Sequence, residues 1–298
     1  MTENLFGETL FKELAKQLPV DGAWKLDEPK LWWTTRQQLK AYSAVAQSSY
    51  HGIINEIEDM LVGSIDDIIE QMPLSFSVID LGCGSGEKGE LVVRKAKQLH
   101  REVAYMPVDI NPGYTAQATS LVSALAPTNP MSIDFMESEL PRQAQPALIL
   151  LLGNTYGNFQ PRRILPRLHR QMREEDVLAV NLQLGDSGLE STLVNYHTVK
   201  IENWAWEMMK ALGFSREAAS YRLRYNRQER RIEFGYDLLA VPPRLREIGM
   251  LPGDSMALIV TRKPSREQLI SELSPYFAVR LYEREGSSQV IVTARRKM

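Results

Sequence analysis

The sequence is poor in cysteine and histidine and carries almost no net charge. A single cysteine, Cys83, excludes an internal disulfide framework and fits a reducing compartment. His51, His100, His169 and His197 are scattered, without the i, i+4 or Cys/His spacing of a metal site, so no metal is expected. A formal net charge of −2 excludes the strongly basic domain that marks a nucleic-acid partner. Long apolar runs are missing too. The stretch Ala147–Leu152 ends at Gly153, far short of the roughly 18 residues that a membrane helix needs. The opening MTENLFGETLFKELAKQL mixes acids, amides and lysines with its apolar residues, unlike the basic start and unbroken core of a signal peptide. No repeat is visible, which removes solenoid architectures. These absences predict a cytoplasmic chain with neither a membrane nor a nucleic-acid partner.

What is present is ordinary globular material: 298 residues, 44% hydrophobic and 24% charged, enough for one large domain or two modest ones. Up to about residue 70 the pattern is helical, with Leu5, Phe6, Leu10, Phe11 and Leu14, then Ile53, Ile54, Ile57, Met60 and Leu61, at helical spacing. From Ser77 the texture changes. Strands are expected at 77–81, 103–108, 132–135, 147–152 and 177–182, separated by helices at 87–100, 114–125 and 164–172. Apolar runs alternating with helices predict a parallel sheet covered on both faces. After about Gly185 the alternation stops. A helix over 193–212, antiparallel strands at 230–240, 244–248 and 255–261, a helix at 265–273 and a hairpin over 277–295 complete the pattern.

The segment Val78-Ile79-Asp80-Leu81-Gly82-Cys83-Gly84-Ser85-Gly86-Glu87-Lys88 carries the most chemistry. A strand must turn sharply into a helix there while its backbone lies against a ligand, and glycine allows both. The G-x-G-x-G spacing of Gly82, Gly84 and Gly86 is tighter than the G-x-G-x-x-G of a dinucleotide loop, which counts against a nicotinamide dehydrogenase. It suits a cofactor without phosphates, such as S-adenosylmethionine, with Asp80 near the sulfonium and amino group. Asp109 ends the next strand just over twenty residues after Gly86, where an acid accepts hydrogen bonds from ribose hydroxyls. Asp134 and Phe135 end the third, where an acid meets an adenine amino group and an aromatic its face. Cys83 reads as a small residue in a crowded turn.

Three further features narrow the reading: Glu87-Lys88 in the first helical turn, Leu152-Gly153-Asn154-Thr155-Tyr156-Gly157-Asn158-Phe159-Gln160-Pro161 after the fourth strand, and Tyr105-Met106-Pro107-Val108-Asp109. Together they resemble the histidine-specific, S-adenosylmethionine-dependent methyltransferase family. That resemblance implies an α/β fold, a Rossmann-like methyltransferase sheet with a second α+β substrate domain built from the N-terminus and an insertion. The expected division is a cofactor core at 62–185 completed by 263–298, and a substrate domain from 1–61 and 186–262. The resemblance implies that Lys88 binds the methionine carboxylate, and that Asn158 contacts an amino acid or small amine substrate. Asn154 joins the cofactor residues, and the family's N-terminal Tyr-Asp near the cofactor aligns with Trp33-Thr34. Tyr50 and Tyr196 align with substrate-facing tyrosines, and Tyr50 and Asn158 are the candidates to orient the amine.

One family element is absent. The Glu-x-Ser that grips an imidazole should lie just before Lys263, where this sequence has Ile259-Val260-Thr261. Losing such a charge-assisted bond costs about 1.5–3 kcal/mol, which argues against histidine itself as acceptor. The leading expectation is therefore N-methylation of an amino acid or related amine. Transfer to oxygen or carbon of another metabolite, and a silent cofactor-binding interaction module, stand as alternatives. Trp32, Trp33, Trp204 and Trp206 are either core packing or a cage for a methylated ammonium. The basic run Arg222–Arg231 reads as a solvated hairpin or loop face.

Overall fold

The computed structural model describes residues 3–19, 22–26, 28–47, 51–186, 193 and 196–297. In chain order its elements are α1 (Glu3–Ala15), β1 (Ala23–Lys25), a 3-10 turn (Pro29–Trp32), α2 (Arg36–Ala46) and α3 (His51–Glu70). Then follow β2 (Ser75–Leu81), α4 (Glu87–Gln98), β3 (Glu102–Asp109), α5 (Pro112–Val122), β4 (Met131–Ser132) and β5 (Ala147–Leu151). A second 3-10 turn (Thr155–Asn158), α6 (Pro161–Gln171), β6 (Val177–Gln183) and α7 (Val199–Ala211) come next. The chain continues with a short 3-10 turn (Arg216–Ala218), β7 (Ala219–Asn226), β8 (Arg231–Leu238), α8 (Pro243–Arg246) and β9 (Ser255–Arg262). It closes with α9 (Arg266–Leu273), β10 (Phe277–Glu283) and β11 (Gln289–Arg296). Two compact units result, one from residues 53–187 and 263–298, the other from 1–52 and 188–262.

The larger unit is a seven-stranded sheet in the order β10-β11-β6-β5-β2-β3-β4, parallel except for the closing β10–β11 hairpin. Successive side chains of a strand point to opposite faces, so each central strand feeds two cores. Val78, Leu148 and Leu150 pack with Ile65, Ile69, Val92 and Val122 of α3, α4 and α5. Ile79, Leu81, Ile149 and Leu151 pack with Ile164, Leu168, Leu269 and Leu273 of α6 and α9. Both faces being covered explains why these strands read as unbroken apolar runs.

The smaller unit is a four-stranded sheet in the order β1-β9-β8-β7 with α1, α2 and α7. α7 packs on α1 and α2. Gly7 meets the Ala211 carbonyl so closely that no side chain fits there. Strand β1 lies in a region expected to be helical, and it pairs in parallel with β9, Ala23 opposite Ser255. The basic run falls on β7, the β7–β8 turn and the first residue of β8.

Four expectations are corrected. The first boundary falls at 52/53 rather than 61/62, because the apolar face of α3 already joins the larger unit's core at Met60 and Leu61. The strand expected over 132–135 is only Met131–Ser132, since Asp134 turns the chain with its own side chain. Residues 244–248 are not a strand: Pro243 starts the one-turn α8, proline being suited to a first helical position. The helix expected over 193–212 is interrupted at Thr198, whose extended backbone and side chain cap α7 by accepting from the Ile201 N–H at 3.3 Å. Among the described residues no helix is long and apolar enough to cross a membrane.

Candidate functional site

From β2 the chain proceeds outward to β3 and β4 on one side, and β5 and β6 build the other side. The strand order therefore reverses between β2 and β5, and parallel sheets bind ligands in the crevice above such a switch point. The loops that leave these two strands approach each other there. A Cβ on Gly82 would lie 3.2 Å from the Thr155 methyl carbon.

The loop after β2 uses left-handed backbone at Gly82 (φ 68°), Gly84 (φ 53°) and Gly86 (φ 94°), a conformation costly to any other residue. The N–H groups of Gly82 and Cys83 both donate to the Val108 carbonyl, at 2.7 and 3.1 Å, fixing the loop to the end of β3. Gly86 precedes α4 and lies against α5, where a Cβ would stand 2.7 Å from the Ala118 backbone. Gly84 differs: a Cβ there would meet nothing within 4 Å, so its space is open.

Asp109 ends β3 beside that opening. Its carboxylate accepts the Gly84 N–H at 3.2 Å and the Asn111 N–H at 2.9 Å, and only 7% of the residue is exposed. Burial raises its pKa, and those backbone donors oppose the rise. Asp80 lies deeper, 3% exposed, and accepts the Tyr105 hydroxyl at 2.8 Å. Burial pushes its pKa up to about 6, against the Tyr105 hydrogen bond and the Lys88 charge. Lys88 reaches across to the loop after β5, its Nζ 3.9 Å from where a Cβ on Gly153 would be.

That second loop is held by buried amides. Asn154 is itself left-handed (φ 63°), its N–H donates to Asn181 Oδ1 at 3.2 Å, and its Oδ1 accepts the Gln183 N–H at 2.6 Å. Asn181 in turn donates to Gln289 Oε1 and to the Val290 carbonyl, both at 3.2 Å. Asn158 closes the 3-10 turn that follows and is half-buried.

Beyond β3, Asp134 accepts the Met136 N–H at 2.9 Å, and Phe135 packs edge-on to Phe159 at 5.3 Å. The Ile133 N–H donates to the Asp109 carbonyl at 3.0 Å, which ties this turn to the end of β3. The sequence-identified residues Asp80, Gly82, Gly84, Gly86, Lys88, Asp109, Asp134, Phe135, Asn154 and Asn158 thus share the larger unit, at the carboxyl ends of its strands. Trp33 and Tyr196 belong to the smaller unit, and Tyr50 lies outside the described residues. Trp33 packs with Tyr42 and Trp204, centroids 4.5 and 4.9 Å away, and the buried Tyr196 meets Phe234 at 5.5 Å. The rings of this trio fill the space between themselves, which is core packing rather than an open cage.

Sequence reasoning missed Tyr105, Gly89, Tyr114 and the amides Asn181, Gln183 and Gln289. Burial raises the Tyr114 hydroxyl pKa, as do the nearby charges of Asp109 and Glu87. The i, i+25 spacing of Asp80 and Tyr105 on adjacent strands was the available signal. Among the described residues no group of acids, histidines and cysteine could hold a metal ion.

The model of the histidine-specific, S-adenosylmethionine-dependent methyltransferases matches residues 42–241. The chain belongs to that family. It is an S-adenosylmethionine-dependent methyltransferase, and S-adenosylmethionine is its cofactor. No curated protein matches the sequence. Among solved structures, the PH0226 protein from Pyrococcus horikoshii OT3 is similar at 13% identity and a TM-score of 0.49, over 83% of this chain and 92% of that one. An S-adenosylmethionine-dependent methyltransferase from Clostridium acetobutylicum is 10% identical, TM-score 0.47, over 82% and 92% of the two chains. The DhpI–SAH complex is 11% identical, TM-score 0.48, over 87% and 95%. The family assignment rests on the sequence, not on these likenesses. The site fits this methyltransferase's cofactor: open space above Gly84 adjoins a buried acid, and a lysine stands over the facing loop.

Proposed function

We propose that this methyltransferase transfers a methyl group to the nitrogen of an amino acid or a related small amine. The observation that carries the reading is Asn158, in the turn at the carboxyl end of β5, within a chain of this family. Bound cofactor supplies an activated methyl group on a sulfonium. In this reading Asp109 accepts the ribose hydroxyls, Lys88 neutralises the methionine carboxylate, and Gly82, Gly84 and Gly86 leave room for the cofactor's body. Asp134 and Phe135 take the adenine, while Asn154 shapes the loop under the methionine end.

Methyl transfer is an in-line displacement, so the enzyme's work is to hold the acceptor nitrogen about 3 Å from the methyl carbon, opposite sulfur. Asn158 orients the amine, and water or a tyrosine oxygen takes the proton. The nitrogen must be neutral when it attacks, because its lone pair forms the new bond.

Histidine is disfavoured as acceptor. In the β8–β9 pair Phe234 is opposite Ile259 and Ile232 is opposite Thr261, so these side chains share one face. The acid on this stretch of β8, Glu233, is opposite Val260 and thus on the other face. It is already paired there with Arg231 at 2.6 Å. Phe234, Ile259, Ile232 and Thr261 are buried, and the positions where the family grips an imidazole therefore offer no carboxylate.

The test is incubation with S-adenosylmethionine and a panel of amino acids and amines that includes histidine, followed by mass spectrometry. A methylated nitrogen on an amino acid or small amine supports the reading. Methylation confined to oxygen or carbon would replace it, and cofactor binding without any methylated product would indicate a silent interaction module.

A further inference from the structure

Asp80 and Tyr105 form a clasp under the glycine loop. The carboxylate and the hydroxyl, 2.8 Å apart, lie against the first turn of α4 at Gly89. A Cβ on Gly89 would stand 2.5 Å from Asp80 Oδ2. The Tyr105 hydroxyl would meet it more closely still. Residue 89 must lack a side chain because the clasp occupies that space. The charged and titratable groups around Asp80 are Glu87 and Lys88 of α4, Asp109 and Tyr105 of β3, and Cys83 of the loop. No backbone N–H of the loop donates to this carboxylate among the described residues.

We propose that Tyr105 is a positioning residue of the cofactor site, holding the buried Asp80 carboxylate so that its charge favours the cationic cofactor over the neutral thioether product. The inference rests on S-adenosylmethionine being the cofactor. Before transfer the ligand carries a sulfonium cation; once the methyl has left with its bond to the acceptor nitrogen, the electron pair stays on sulfur as a neutral thioether. A fixed negative charge in a poorly solvated interior acts over several ångströms. It therefore holds the reactant and releases the by-product, without touching either. Glu87 and Asp109 add to the negative field, and Lys88 and the Tyr105 hydroxyl keep Asp80 ionised at neutral pH. Removing the hydroxyl takes away one of those two restraints, so the carboxylate protonates at higher pH.

Calorimetric titration of S-adenosylmethionine and of S-adenosylhomocysteine, from mildly acidic to mildly alkaline pH, tests this on the wild-type protein, Tyr105→Phe and Asp80→Asn. Repeating the titrations in two buffers of different ionisation enthalpy counts the protons released. The wild type is expected to prefer the sulfonium ligand, to lose that preference as pH falls through about 6, and to release protons on binding it in that range. Asp80→Asn should shrink the ratio of the two affinities on the order of tenfold near neutral pH and remove its pH dependence. Tyr105→Phe should move the transition upward in pH while Tm shows the protein folded. Equal losses for both ligands, or an unchanged ratio and midpoint, would overturn the proposal. A wild-type protein that binds neither ligand would instead refute the cofactor assignment on which it depends.

Discussion

Asn154 Oδ1 accepts the backbone N–H of Gln183 at 2.6 Å, so a side chain from the loop after β5 completes the end of β6. Replacing Asn154 with alanine strands a buried N–H and forces alanine into left-handed backbone. We expect a loss of about 1–3 kcal/mol, measured by denaturant unfolding. Asn154→Gly should recover the conformational part and leave the hydrogen-bond part. If the two variants are equally stable, backbone strain contributes nothing at this position.

The glycines of the first loop should respond unequally. Gly86→Ala puts a methyl 2.7 Å from Ala118 in addition to the strain of φ 94°, and should cost about 2–5 kcal/mol. Gly84→Ala has free space and only strain to meet, about 1–2 kcal/mol, yet its methyl enters the space assigned to the cofactor. Calorimetry should therefore find Gly84→Ala folded and at least tenfold weaker for S-adenosylmethionine, a loss of roughly 1.4 kcal/mol or more.

The raised pKa of Asp80 has a definite sign for stability. The unfolded chain has the ordinary 3.8 and the folded protein about 6, so the folded state holds this proton more tightly. The contribution is full below 3.8 and lost as pH rises through 6. In the cofactor-free protein Asp80→Asn, which keeps an acceptor for Tyr105, should be more stable than wild type at neutral pH, by on the order of 3 kcal/mol. Near pH 4 the gap should close. A gap that stays constant across this range would show that Asp80 titrates normally.

Asp109 and Asn158 should separate the two halves of the reaction. Asp109→Ala is expected to abolish calorimetric binding of S-adenosylmethionine. Asn158→Ala should leave that binding intact and lower turnover at least tenfold, about 1.4 kcal/mol of transition-state stabilisation or more. Unchanged turnover and acceptor affinity in Asn158→Ala would remove it from the acceptor site.

The glycine loop, the alternation of strands with helices and the closing hairpin were legible because each is set by local spacing: a β-branched run, three glycines, an acid at the next strand end. The boundaries that moved depend on partners distant in sequence. Strand β1 is three residues long and owes its existence to β9, so no local pattern announces it. The 132–135 segment has strand-like composition, but Asp134 spends its carboxylate on the Met136 N–H and bends the chain. Within the site, charged residues beside glycines stood out. The contacts that hold the site, Tyr105 on Asp80 and Asn181 on Asn154, depend on strand pairing and are not marked by local sequence.

The pairing of β1 with β9 also governs when the smaller unit can form. The Trp24 indole N–H donates to Asp254 at 3.0 Å, across 230 residues of sequence. During synthesis the N-terminal segment has emerged long before its sheet neighbour exists, while all but the tail of the larger unit is translated between them. Closing so long an interval is entropically slow for an unstructured chain and faster once the intervening residues are compact. Early compaction of the larger unit thus shortens the interval that the smaller unit's strands must close, and a ribosome stalled before residue 255 would display an N-terminal segment still waiting for its strand.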